Sequence, residues 1–147
     1  MKKLLIALFF VSLSGCSVID AYFMAHYDNN EYGLVNDIRA SSYLAQEECG
    51  DYTKSVQNVK RIYETSYRFQ GFATFTPRNE DTTKLSEKLF ALAKGTKEYY
   101  DTHDKVSELF CKSKLQQINK SAEEIQAVIA RRSEEHTSEL QSHSFIS

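Results

Sequence analysis

Across 147 residues there is one proline, Pro77, with five glycines and no tryptophan. A β-sandwich or barrel needs a turn roughly every 8–12 residues, and turns draw on Gly, Pro and Asn. The supply here is too small, which excludes that class. No block of Lys and Arg is present, so the electrostatic footprint of a nucleic-acid binder is missing. No acidic block marks a disordered tail either. Catalytic signatures are equally scarce: there is no GxSxG, no P-loop, no GxGxxG and no CxxC. Two histidines, His26 and His103, have no second His, Cys or carboxylate three or four residues away on the same helical face. Glu47-Glu48 and Glu123-Glu124 are sequence neighbours and point apart on a helix, as solvated faces do. No catalytic residue, cofactor or metal site is expected, and the protein does not read as an enzyme.

What is present begins at the N-terminus. "MKKLLIALFFVSLSGC" has two lysines, an apolar stretch from Leu4 to Val11, and small residues before Cys16. This is the layout of a secretory signal, and it is too short to span a bilayer permanently. Its last four residues, Leu13-Ser14-Gly15-Cys16, resemble the lipobox of bacterial lipoproteins. The resemblance implies cleavage before Cys16, a diacylglyceryl thioether on its sulfur and acylation of its new amine. Several acyl chains, each methylene contributing about 0.8 kcal/mol, would anchor the chain without a transmembrane helix. Ser17 follows where an Asp would resemble an inner-membrane retention signal. The expected location is therefore the outer membrane, facing the periplasm.

At the other end, "RSEEHTSELQS", Arg132 to Ser142, resembles the one-frame translation of a common short-read sequencing adapter. Ile146-Ser147 resembles the adapter segment beyond a sample index, which would be His143-Ser144-Phe145. On this resemblance residues 132–147 are a non-native, disordered tail, and His136 and His143 are not candidates for chemistry. The expected divisions are a signal peptide over 1–15, a lipid-anchored helical domain over 16–131 and the tail. The domain has 116 residues, enough for one core. Its charges are interspersed and nearly balanced.

Within the domain the apolar residues repeat at helical steps. From Ser17 to about Glu48, one stripe carries Leu34, Val35, Ile38, Ala45 and Cys49. Gly50 can end that helix, and Asp51 or Thr53 can cap the next. The second helix carries Val56, Val59, Ile62, Tyr63, Phe69 and Ala73, stopping before Pro77. A third runs Leu85, Leu89, Leu92, Thr96, Tyr99, His103, Val106 and Phe110. After it the stripe shifts by one, to Cys111, Leu115, Ile118, Ala122, Ile125 and Ile129. Either the helix continues past Cys111 with a stutter, or it breaks near Asp101-Thr102 and a fourth turns back. The fold class is all-α, an antiparallel bundle of three to four long helices after the signal peptide.

With Cys16 carrying lipid, Cys49 and Cys111 are left in an oxidising envelope, where two thiols pair more often than not. The helix count brings both to the end far from the membrane. Closing such a loop stabilises a fold by about 4 kcal/mol in the chain-entropy model. Nearer the anchor, "AYFMAHYDNNEYGLV" places Tyr22, Phe23, Tyr27 and Tyr32 either at the headgroups or in the bundle core. "YDNNEYGLVNDIRA", the two following cysteines and "KLQQINKSAEEIQAVI" together are similar to small uncharacterised lipoproteins of tailed phages. That similarity spans most of the mature chain and transfers no activity. The expected function is contact with an envelope protein, by receptor occlusion or lysis assistance if phage-encoded. The alternatives are a cellular envelope scaffold and a small-ligand carrier. A membrane partner is expected through the lipid alone, and no nucleic acid.

Overall fold

A computed structural model describes residues 27–144, with side chains as far as Ser133. Four α-helices make up the described residues: α1 (Asn29–Leu44), α2 (Tyr52–Phe75), α3 (Glu80–Thr102) and α4 (Glu108–Ser144). A 3₁₀ turn, Ala45–Glu48, extends α1. Each helix packs on its two sequence neighbours, and α4 closes the ring on α1. The result is an up-down-up-down bundle. The 24 residues of α2 set its length at about 36 Å.

The starts follow from capping. Asp28 is extended, and its carboxylate accepts from the Asn30 and Glu31 amides at the head of α1. The described helix thus begins at Asn29, whereas the sequence pattern extends it back to Ser17; residues before Tyr27 lie outside the description. Asp51 caps α2 by accepting from the Lys54 amide at 3.1 Å. Ser107 does the same for α4, accepting from Phe110. The α2–α3 turn carries Pro77 and then Arg78, whose φ of 60° lies in the left-handed region.

Every helix buries one seam at alternating four- and three-residue steps, the period of coiled-coil packing. In α4 it is the expected run, Cys111, Leu115, Ile118, Ala122, Ile125 and Ile129, all buried. In α3 it is not. The buried positions are Thr82, Ser86, Leu89, Ala93, Thr96 and Tyr100, while Leu85 and Leu92 flank the core. Small hydroxyl residues can occupy a seam because their donors turn back onto their own helix. Ser86 donates to the Thr83 carbonyl at 2.7 Å and Thr96 to Leu92 at 2.8 Å. Ser42, Ser55 and Ser66 repeat the device on α1 and α2.

Of the two alternatives for the third helix, the break near Asp101-Thr102 with a fourth helix turning back is the one found. The chain breaks at Thr102, His103 is extended and exposed, and α4 starts at Glu108; His103, Val106 and Phe110 therefore do not continue the α3 seam. Nor does the helix end at Arg131. It continues to Ser144, and Arg132 takes the next seam step after Ile129, with only 5% of its surface exposed. The change of composition after Arg131 does not coincide with the end of the described helix.

Candidate functional site

The two ends of the bundle differ in chemistry. At the end where α1 finishes, Cys49 and Cys111 form a disulfide, their Cα atoms 5.7 Å apart and 62 residues apart in sequence. Both cysteines are buried. The expected pairing is thus present, and it ties the 3₁₀ turn to the first turn of α4.

Around this bond the tip is cross-braced. Tyr52 donates its hydroxyl to the His103 carbonyl at 2.9 Å, joining the start of α2 to the end of α3. The Tyr52 ring stacks on Tyr100, whose phenol burial pushes above its ordinary pKa. Asn58 donates to Glu48 at 2.7 Å, and Lys54 stands 3.4 Å from the same carboxylate. These two partners, Asn58 first, hold the Glu48 carboxyl below the usual range. Tyr99 lies between the rings of His103, 3.9 Å away, and Phe110, 4.1 Å away, with Lys114 over Phe110. This use of His103, as a stacked and exposed cap, replaces the seam position expected from the sequence.

On this braced base, apolar side chains point outward. Leu109 is 80% exposed, Tyr43 65%, Leu44 64% and Tyr52 39%. They make up four of the six large hydrophobic residues exposed among the described side chains; only Tyr67 and Phe75 lie elsewhere. Exposed apolar residues scattered singly are normal, and four of these six share one end of the bundle.

The opposite end is closed by a polar knot. Glu31 of α1 is fully buried and accepts from Asn79, while Arg132 stands 3.3 Å from its other oxygen. Arg132 also donates to Thr82 at 2.6 Å, and Asn79 and Thr83 both donate to the Ala73 carbonyl at the end of α2. All four helices meet in this set. Burial outweighs the help from Asn79 and Arg132, so the Glu31 carboxyl is pushed above its ordinary pKa. Asn79 Oδ1 and Arg132 Nε are buried with no partner among the described residues. Sequence reasoning missed this knot. The signal was positional: Glu31 lies one four-residue step before Val35, and Arg132 one three-residue step after Ile129.

Between α1 and α2 near that end runs an open groove of about 590 Å³, with Gly33 and Gly71 on its walls and Asp37 and Arg68 at its margin. Among the described residues no group of three His, Cys, Asp or Glu could hold a metal ion. No described helix is long and apolar enough to cross a membrane. Cys16, the expected lipid attachment point, lies outside the described residues, as do Tyr22 and Phe23. No protein-family model, no curated protein and no solved structure matches the chain.

Proposed function

We propose that this protein is a lipid-anchored, non-catalytic component of the bacterial envelope that acts by protein contact. Cys16 holds it to the outer membrane on the periplasmic side, and the disulfide-tied tip is its working surface. The observation that supports this reading is the outward apolar set, Tyr43, Leu44, Tyr52 and Leu109, on a covalently braced base. A surface already ordered before contact loses less freedom when it binds. The lipobox supplies the anchor, and the first described helix starts at the end opposite the tip. The similarity to small phage lipoproteins narrows the action to occluding a receptor or assisting lysis.

The test is expression of the full chain and of Cys16→Ala in a susceptible host, with a palmitate analogue as label. The full chain should incorporate label and change phage adsorption or lysis timing, and Cys16→Ala should do neither. Unchanged adsorption and timing with a correctly labelled protein would refute the phage-related action and favour a cellular scaffold. A second reading, a small-ligand carrier, draws on the groove between α1 and α2. Stoichiometric binding of a small ligand by purified protein, with adsorption and lysis unchanged, would establish it instead.

A further inference from the structure

We infer that two copies of this chain pair through the face made by α1 and α2, about a two-fold axis parallel to the helices. The face is not the tip, and the pairing goes beyond the contact reading. The groove between the two helices carries it. Asn30, Leu34 and Asp37 form one wall, and Arg68 and Phe72 the other. Steps of four and three residues put each set on one face of its helix, and a further step of three from Phe72 adds Phe75, 88% exposed. Phe75 is thus the end of a groove wall and not an isolated side chain. Gly33 and Gly71 make the room, since a Cβ on either would meet nothing within 4 Å.

Charge identifies the occupant. Asp37 stands eight residues from the start of α1 and Arg68 seven from the end of α2, so both lie about 10–12 Å from the same end of the bundle. They face each other's walls at one height with opposite sign. Both are exposed, and neither has a hydrogen bond or ion pair among the described residues. The other charges on that face of α2 already have partners: Glu64 stands 4.0 Å from Lys60, and Arg61 donates to Asn58.

A two-fold axis along the helices lays α1 of each copy against α2 of the other. Asp37 then meets Arg68 of the second copy, twice over, because a two-fold contact repeats each cross-pair. Leu34 and Phe72 of both copies fill the interior of the four helices so assembled. An axis across the helices would instead set Asp37 against Asp37 and Arg68 against Arg68. The 16 residues of α1 span about 24 Å and two helices side by side about 20 Å, so the contact covers about 1,000 Å² in total. That is the small end for a specific contact, and confinement to one membrane raises the effective concentration that it needs. The parallel axis also starts both α1 helices at one end, as two copies anchored in one membrane require; to that extent the pairing rests on the anchor reading.

The experiment uses the full chain in the host envelope, with a photocrosslinking phenylalanine analogue in place of Phe75 or, on the α3 side of α2, Tyr67. Position 75 should yield a self-adduct that joins α2 to α1 of the second copy, and position 67 none. Asp37→Arg alone and Arg68→Asp alone should each lower the self-adduct at least about tenfold, with melting temperature and disulfide unchanged. Co-expressing the two variants under different tags should restore it as a mixed pair, which a charge acting within one chain cannot do. An adduct to lipid or to another protein, a self-adduct joining α2 to α2, an equal adduct from position 67, or no adduct overturns the proposal. So does a yield indifferent to charge or not restored in the mixed pair. Palmitate labelling in the same cells separates this from the anchor reading. Unlabelled protein that still gives the charge-sensitive self-adduct refutes the anchor and leaves the pairing standing.

Discussion

The tip and the knot close the same four helices by opposite means. At the tip a covalent bond and a tyrosine–carbonyl hydrogen bond join helix ends, and the apolar side chains are free to face solvent. At the knot an ion pair, an amide and a hydroxyl are taken out of water, and the polar groups face inward. The energetic consequences differ in kind. A disulfide stabilises mainly by restricting the unfolded chain. A buried ion pair recovers its desolvation only in good geometry and contributes register more readily than stability. Covalent closure relieves the tip's surface residues of holding the end together, so the end with the stronger tie is also the end that can expose apolar surface.

The comparison can be broken most severely at the disulfide. Replacing both cysteines, Cys49→Ser with Cys111→Ser, should lower unfolding free energy by about 4 kcal/mol, read by urea titration. A loss well under 1 kcal/mol would mean that the bond only decorates an end already closed by packing.

The knot comes next. Ending the chain after Arg132 should leave the urea midpoint unchanged. Ending it after Arg131 should cost about 3 kcal/mol, because Glu31 then stays buried without its cation. This pair of truncations also separates structure from origin. If the adapter-like resemblance is right and the gene diverges here, its own residue 132 must still present a donor to Glu31. Sequencing the locus would show it, and an aliphatic residue at 132 would contradict the prediction.

A smaller effect tests the sign of the knot's electrostatics. The Glu31 carboxyl has its pKa raised in the folded state, so the folded protein holds that proton more tightly than the unfolded chain. Its contribution to stability is therefore present at low pH. It is lost as pH rises from the ordinary carboxylate value through the raised one. Glu31→Gln should flatten the pH dependence of the urea midpoint in that window. A wild-type contribution growing with pH there, and abolished by the same substitution, would show that pairing outweighs desolvation. Smallest of all, Leu109→Ser should shift stability by no more than about 0.5 kcal/mol, since that side chain faces solvent. A larger loss would make Leu109 part of the fold instead of the contact surface.

Legibility in the sequence followed the chemistry of each seam. The α4 run was readable because Leu115, Ile118, Ile125 and Ile129 are aliphatic and each falls on the core. The α3 seam was readable only at Leu89 and Thr96; Ser86 looks like a surface residue until its hydroxyl is seen bonded to its own helix, and Thr82 until it is seen accepting from Arg132. Leu85 and Leu92 drew the stripe one position aside. The disulfide was legible from two leftover thiols in an expected oxidising envelope, together with antiparallel passes that return the chain to the same end. The knot was not, since a buried Glu and Arg are each rare unless paired, and nothing in sequence pairs positions 101 residues apart. The exposure of the tip residues was not read from the sequence, although the apolar stripes leave Leu44 and Leu109 off the seam.

Native-state hydrogen exchange on the full chain, oxidised and then reduced, tests the contrast between the ends most directly. The account predicts that in the oxidised protein the amides of Cys49, Ser55 and Cys111 exchange more slowly than those of Glu31, Thr82 and Arg132. Reduction should open the tip in a sub-global step that leaves the knot end protected. An equal loss of protection at both ends on reduction, or a tip that exchanges faster than the knot while still oxidised, would contradict it.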